Sequence, residues 1–194
     1  MKFNPDIHNR RSIRLRDYDY RSAGAYFLTI CAFQRECLFG EVVEGEMQLN
    51  DMGAIVVECW QGIPCHFPNS DLDGFVIMPN HVHGIVVLDD PVGARHASPS
   101  SCMHGETRAR HASPLRDFPS GPAPRSIGAI VGSFKSAVSK RINTLRDNPG
   151  CPVWQRDYYD RVIRNMDELI HARTYIINNP LQWERDKENP TNSA

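Results

Sequence analysis

The chain reads GFVIMPNHVHGIVVL from Gly74 to Leu88, and this stretch decides the fold. Apolar runs on either side of a Pro-Asn pair predict two β-strands joined by a turn or bulge. Because successive side chains in a strand point to opposite faces of a sheet, His81 and His83 should lie side by side on one face. Two imidazoles in this arrangement form half of a metal site, although two ordinary histidines would fit the same spacing.

The composition is that of a globular protein with a substantial core. The chain has 194 residues, of which 41% are hydrophobic, and a formal net charge of −1. No apolar run is long enough to span a membrane, and the segment after Met1 lacks the apolar part of a signal peptide. We therefore expect a cytoplasmic protein without a membrane segment. Its six cysteines contain no C-x-x-C pair, and we expect reduced thiols.

Two parts of the chain differ from the rest in composition. We predict one domain over residues 1–194, with a polar basic arm at 1–21 and a flexible low-complexity insertion at 91–125. The insertion is rich in Pro, Ser, Gly, Ala and Arg, and it carries the hexapeptide ARHASP twice, beginning at Ala94 and Ala109. Its histidines are not expected to be ligands, because a flexible loop holds a metal poorly.

The remaining residues predict an α+β fold. Strands are predicted at 25–33, 72–78, 81–88 and 153–163, a β-hairpin at 38–49, and helices at about 51–63, 126–145 and 166–179. Without the hairpin and the last helix, the order is βαββαβ. That order is typical of the ferredoxin-like arrangement, an antiparallel sheet with helices on one face.

The last predicted helix has two distinct faces. It should begin after Asn165, a good N-cap, and end before Pro180. Its apolar residues predict a buried stripe of Leu169, Ile170, Ala172, Ile176 and Ile177. A polar face holds Glu168, His171, Tyr175, Asn178 and Asn179 at helical spacing. A tyrosine on a polar face is usually a surface or interface residue, and a reactive phenol is the alternative.

These groups together would suit phosphodiester chemistry. Two imidazoles and a carboxamide oxygen can hold a divalent ion that acts as a Lewis acid on a phosphodiester. A neighbouring tyrosine phenol is a candidate nucleophile, although its ordinary pKa of about 10 requires activation by the metal or a base. Attack would form a phosphotyrosine and free a sugar hydroxyl. A second hydroxyl could then reseal the strand without ATP.

Two segments of the chain resemble the HUH single-tyrosine transposases, in particular the REP-associated tyrosine transposases and their IS-type relatives. The first contains RRSIRL at 10–15, YFLTI at 26–30 and FVIMPNHVHG at 75–84. The second contains WQRDYYDRVIRN at 154–165 and YIINNP at 175–180. The resemblance covers about 1–90 and 126–183 and leaves out the insertion.

The resemblance implies a metal-dependent endonuclease and strand transferase acting on single-stranded DNA. Such an enzyme cuts near a DNA stem-loop through a 5′-phosphotyrosine. His81 and His83 would bind Mg²⁺ or Mn²⁺, and Tyr175 would be the nucleophile. Asn179, one helical turn later, would be the third ligand, at a position where many relatives have Gln. Relatives include monomers and homodimers, so we expect one of these states.

Further residues are candidates for contacts with the DNA. Basic side chains that could contact the phosphate backbone are Arg11, Arg14, Arg16, Lys140, Arg141, Arg156, Arg161 and Arg164. Aromatic side chains that could stack on unpaired bases are Tyr18, Tyr20 and Trp154. Tyr158 and Tyr159 are alternative nucleophiles. Each of these residues could equally be ordinary surface or core.

Two other functions stay open on the sequence alone. The near-neutral net charge argues against nucleic-acid binding, because proteins that bind nucleic acids usually have an excess of basic residues. A derived protein could hold a DNA or RNA hairpin without cutting it. A zinc hydrolase is the second alternative, in which Cys59 or Cys65 would join His81 and His83.

Overall fold

The structure, a computed structural model, describes residues 18–89 and 123–192. Its strands are β1 Gly24–Cys31, β2 Gly40–Val43, β3 Glu46–Leu49, β4 Ser70–Met78, β5 His81–Leu88 and β6 Tyr159–Ile163. Its α-helices are α1 Asp51–Gln61, α2 Ile63–His66, α3 Ile127–Leu145 and α4 Met166–Asn178. Short 3-10 helices lie at Phe33–Arg35, Pro180–Arg185 and Pro190–Asn192.

Four strands form one antiparallel sheet in the order β4-β5-β1-β6. The connection from β1 through α1 to β4 leaves β5 between the two strands it joins. The connection from β5 through α3 to β6 likewise leaves β1 between its strands. Two such split crossovers define the ferredoxin-like arrangement, so the predicted fold class is confirmed. The predicted hairpin is also present, as a separate two-stranded sheet of β2 and β3.

The main core lies between the sheet and the pair α1 and α3. The ring of Trp60 from α1 meets Phe134 from α3 with centroids 5.3 Å apart. The indole also lies directly over Gly84 of β5, where an added Cβ would be 2.2 Å from Cζ2 of Trp60. Since no side chain larger than hydrogen fits there, Gly84 allows α1 to press against β5. The strand that carries both histidines is therefore firmly packed from behind.

Helix α4 lies on the opposite face of the sheet, where it contacts β4 and β5. Its N-cap is Asn165, whose side chain accepts the backbone N–H of Glu168, as the sequence predicts. The predicted buried stripe is confirmed only in part: Ile176 is the single buried residue of this fully described helix, and Leu169 and Ala172 are half-buried. Ile170 and Ile177 are 51% and 74% exposed. Apolar residues occur on several sides of α4, so periodicity could not identify the one that faces the sheet.

Two predicted boundaries also need correction. The helix predicted at about 51–63, which Pro64 was expected to end, stops at Gln61, and Pro64 lies instead in the first turn of α2, where its missing N–H is tolerated. The strand predicted at 153–163 is interrupted, since Trp154 makes an isolated bridge to Ala32 and β6 begins only at Tyr159.

Several sequence predictions concern residues that the structure does not describe. Arg11, Arg14 and Arg16 of the basic arm lie outside the described ranges, as does nearly all of the predicted insertion at 91–125. Their proposed roles stay predictions. Within residues 18–89 and 123–192, no helix has the length and apolar character needed to cross a membrane.

Candidate metal and nucleophile site

The two histidines of β5 lie side by side on the α4 face of the sheet. Their ring centroids are 4.5 Å apart, and the side chains are 0% and 2% exposed for His81 and His83. Val82 between them points into the core on the other face. The alternation expected from the sequence is therefore observed, and it brings two buried imidazoles together.

Asn80 fixes the protonation pattern of His81. Its Nδ2 donates to the backbone carbonyls of Arg35 at 3.0 Å and of Glu188 at 2.7 Å. Its Oδ1 must then face His81, and it lies 2.8 Å from Nδ1 of that ring. Nδ1 consequently carries the proton, which leaves Nε2 as a lone pair. This buried Nε2 has no hydrogen-bond partner among the described residues.

His83 connects the sheet to the tyrosine of α4. Its Nδ1 lies 2.9 Å from the hydroxyl of Thr29 on the neighbouring strand β1. Its Nε2 lies 3.4 Å from the phenol oxygen of Tyr175. Tyr175 is 40% exposed, and its ring packs edge-on against His83, with centroids 5.1 Å apart. The tyrosine and the histidine pair selected from the sequence thus form one cluster.

Asn179 also reaches this cluster. It is the C-cap of α4, is 1% exposed, and interacts with the side chains of His81 and Tyr175. Its Nδ2 lies 3.5 Å from Oδ2 of Asp186, whereas its Oδ1 has no hydrogen-bond partner among the described residues. Two buried acceptors without donors, Nε2 of His81 and Oδ1 of Asn179, therefore belong to neighbouring side chains. Buried polar atoms are rarely left in this state, and a cation between them would satisfy both.

Asp186 is a site residue that the sequence analysis missed. One ligand atom from each of His81, His83 and Asp186 lies within 4.8 Å of the others, so this group could hold a metal ion. The 3-10 helix Pro180–Arg185 turns the chain after α4 and returns Asp186 to the histidines. No periodicity or spacing in the sequence indicates this return, because it depends on the path of the chain after Pro180.

Burial keeps the histidines neutral. It lowers the pKa of His81 to about 4, against the opposing effect of the carboxylates of Asp186 and Glu188. Burial and the neighbouring His81 hold the pKa of His83 well below its ordinary value. Neutral imidazoles are the form that binds metals. Burial also raises the pKa of Tyr175, so the phenol stays protonated near neutral pH without further help.

The histidine pair should make the protein sensitive to acid. The unfolded chain binds a proton at His81 below pH 6.5, whereas the folded chain does so only near pH 4. The free energy of unfolding should therefore fall as the pH drops from 6.5 to 4, by up to about 1.4 kcal/mol per pH unit for each such histidine. Denaturant titrations at several pH values, without added metal, measure this slope. His81→Gln should flatten the dependence of the unfolding free energy on pH, and the same slope in this variant as in the wild type would contradict the assignment.

A cleft of about 840 Å³ opens beside the cluster. Strands β1 and β6 form its floor, and α4 forms one wall. Tyr159 is paired with Thr29 across β6 and β1, so Tyr159 lies on the same sheet face as the histidines. Tyr158 and Tyr159, the alternative nucleophiles, both line this cleft, but Tyr175 is the tyrosine that contacts His83.

The basic residues selected from the sequence fall in different places. Arg161 lines the cleft and donates to Glu168 of α4 at 3.3 Å. Arg164 and Arg156 are exposed near β6. Lys140 and Arg141 lie on α3, across the sheet from the histidines, and Arg141 pairs with Glu58. All of their DNA contacts stay predictions.

The aromatic candidates differ in their packing. Trp154 is 7% exposed and packs against Phe39 and Phe134, so it belongs to the core and offers no face for a base. Tyr18 and Tyr20 pack against each other with ring centroids 5.1 Å apart.

Neither proposed cysteine ligand joins the histidines. Cys59 is in α1 beside Arg141, and Cys65 is in α2 and is disulfide-bonded. Cysteines with free thiols among the described residues are Cys31, Cys37, Cys59 and Cys151. The expectation of reduced thiols is therefore wrong for Cys65.

Known proteins are similar to this chain in sequence or in fold. No protein-family model matches it. An uncharacterised protein from Haemophilus influenzae is 41% identical over 186 residues, which cover 96% of both chains. The structure of a REP-associated tyrosine transposase bound to a REP hairpin has a TM-score of 0.54 at 16% identity, with 88% of this chain and 73% of that chain covered. A putative transposase from Deinococcus radiodurans has a TM-score of 0.44 at 14% identity, with 86% and 97% covered. The chain therefore belongs to one family with the Haemophilus influenzae protein, and its fold is similar to that of the REP-associated tyrosine transposase.

Proposed function

We propose that this protein is a metal-dependent endonuclease and strand transferase that cuts single-stranded DNA near a hairpin through a 5′-phosphotyrosine. One observation supports this proposal above the others. The phenol oxygen of Tyr175 lies 3.4 Å from Nε2 of His83. In the same cluster, Nε2 of His81 has a lone pair that accepts no hydrogen bond from the described residues. A nucleophile and a ligand set at one point are what such a reaction needs.

The residues around His81 fit a divalent cation. His81, His83 and Asp186 would supply the ligands, with the amide oxygen of Asn179 as an alternative or additional donor. Mixed nitrogen and oxygen ligands suit Mn²⁺, and abundance in the cell favours Mg²⁺. When bound, such an ion polarises a phosphodiester oxygen and favours the ionised phenol. Hydrogen bonds of the two imidazole Nδ1 atoms with Oδ1 of Asn80 and Oγ1 of Thr29 would hold both rings in their ligating orientation.

The phenol of Tyr175 would perform the covalent step. Its oxygen forms a bond to phosphorus as the proton leaves, and the bond from phosphorus to the 3′ oxygen of the preceding nucleotide breaks. The released 3′ oxygen takes up a proton, and the following strand stays attached to Tyr175 through its 5′ phosphate. Attack by another 3′ hydroxyl reverses these changes and joins two strands. Partial burial raises the pKa of the Tyr175 phenol, which makes activation at the site necessary.

The cleft is suited to an unpaired DNA strand. Aromatic side chains from Phe27 and Tyr159 line it beside Tyr175, and Arg161 adds a positive charge. Stacking on aromatic rings binds bases of any sequence, and a guanidinium can contact the backbone. The solved REP-associated tyrosine transposase is bound to a REP hairpin, which supports a hairpin as the class of substrate here.

The test is a search for the covalent adduct. The purified full chain is incubated with labelled hairpin oligonucleotides carrying single-stranded flanks, with Mn²⁺, Mg²⁺ or EDTA. We expect an SDS-resistant adduct with either metal, none in EDTA, and a modified Tyr175 peptide in mass spectrometry. Tight hairpin binding without an adduct under any condition would instead indicate the non-cleaving module. Stoichiometric zinc in the purified protein, without an adduct, would favour the hydrolase, which the separation of Cys59 and Cys65 from the histidines already disfavours.

A further inference from the structure

We infer that a β-bulge in β4 positions helix α4, and with it Tyr175, over the histidine pair. The bulge residues Asp73 and Gly74 are called the seat below. The register between β4 and β5 shifts between Leu72 and Phe75. Such β-bulges bend a strand and re-aim its side chains, often beside functional sites. The two residues inside this bulge, Asp73 and Gly74, both contact α4. The inference rests on the proposed function, because it concerns the placement of the proposed nucleophile.

Asp73 holds α4 through a two-point ion pair with Arg173. Nε of Arg173 donates to Oδ1 at 2.9 Å, and Nη2 donates to Oδ2 at 2.6 Å. The same carboxylate accepts the backbone N–H of Gly74 at 2.6 Å, so the bulge itself orients it. A bidentate pair fixes the relative orientation of its partners as well as their distance. The bulge therefore sets both the position and the rotation of the helix at Arg173.

Gly74 supplies the apolar half of the seat. A Cβ added there would lie 3.9 Å from two side-chain carbons of Ile176, an ordinary van der Waals distance, so the isoleucine lies over this glycine. Ile176 is 2% exposed and is the single buried residue of α4. It follows Arg173 by three residues, which places both side chains on the same side of the helix. One charged and one apolar contact thus meet at the bulge.

The seat determines where the phenol lies. Tyr175 precedes Ile176 and projects toward the cleft, where its ring meets Phe27 with centroids 6.0 Å apart and its oxygen meets His83. Little else on α4 is buried, and the N-terminal end is held by polar contacts of Glu168 with the segment at 161–164. A small movement at the bulge would therefore carry the phenol away from His83. Reaction rates depend steeply on displacements of this size.

The experiment removes the ion pair and then restores it in reverse. The variants are Asp73→Asn, Arg173→Gln and the double exchange of Asp73→Arg with Arg173→Asp. We expect adduct formation at saturating oligonucleotide to slow by about tenfold or more in the single variants, with unchanged hairpin and Mn²⁺ affinities. The double exchange should recover part of the rate. The matched control is Asp19→Asn, which breaks a second bidentate pair, with Arg21, and should leave the rate unchanged.

A second readout does not depend on activity. Hydrogen exchange of the backbone amides at 173–178 should accelerate in the single variants and not in Asp19→Asn. If the wild type forms the adduct and the seat variants match it in rate and exchange, the seat is wrong. If exchange accelerates but the wild type forms no adduct, the seat stands and the proposed function fails. Should Asp73→Asn not fold, Ile176→Val probes the same seat through its apolar half and is expected to slow the rate.

Discussion

Replacing Tyr175 with phenylalanine should abolish the covalent adduct while leaving hairpin binding intact. The substitution removes one oxygen, the atom that would form the bond to phosphorus, and keeps the ring that packs against Phe27 and His83. Because the side chain is 40% exposed and its hydroxyl makes only a long contact of 3.4 Å with His83 and a contact with the side chain of Asn179, the fold should tolerate the change. We expect the rate of adduct formation to fall by about 10³-fold or more, as for the loss of other nucleophiles. Single-turnover assays with a labelled oligonucleotide measure this rate.

Tyr158 and Tyr159 are the natural controls for this experiment. Both line the cleft and would therefore be near the same bound substrate, but the tyrosine that is hydrogen-bonded to His83 is Tyr175. Tyr159→Phe should therefore keep adduct formation within a few-fold of the wild type. An adduct that persists in Tyr175→Phe and disappears in Tyr159→Phe would identify Tyr159 of β6 as the nucleophile. An adduct lost in neither single variant would show that the phenols substitute for one another.

Strand β5 illustrates what the sequence could predict. Its bounds, His81 and Leu88, agree with the structure, because the run of β-branched residues is bounded by a proline turn. The shared face of His81 and His83 follows from strand geometry alone. The N-cap of α4 and the approach of Tyr175 to the histidines were likewise predicted, the first from local chemistry and the second with the help of family resemblance.

Other parts of the site depend on tertiary structure that no local pattern encodes. Asp186 reaches the histidines because the chain turns back after α4, and Asn80 orients His81 through carbonyls of Arg35 and Glu188 that are remote in sequence. The seat at Asp73 depends on a register shift between β4 and β5. Contacts between residues that are remote in sequence could therefore be identified only from the fold.

Removing both histidines by His81→Ala and His83→Ala should eliminate metal binding and adduct formation together. Nε2 of His81 has no hydrogen-bond partner among the described residues, and Nε2 of His83 makes a contact of 3.4 Å with Tyr175, so the pair would be the centre of the ligand set. Isothermal titration with Mn²⁺ measures the loss directly, without a DNA substrate. We expect no binding in the double variant, and denaturant unfolding at neutral pH should show that the fold persists.

The third ligand can be identified by the same titration in Asp186→Asn and Asn179→Ala. The Asp186 carboxylate carries charge and belongs to the group within 4.8 Å, so its loss should weaken Mn²⁺ binding by about 100-fold. Asn179 offers a neutral amide oxygen, and its removal should weaken binding by about tenfold. A larger loss of Mn²⁺ affinity in Asn179→Ala than in Asp186→Asn would identify Asn179, the residue predicted from the sequence, as the third ligand. Unchanged affinity in both variants would place the third ligand on the substrate, and the protein would then hold its cation through His81 and His83 alone.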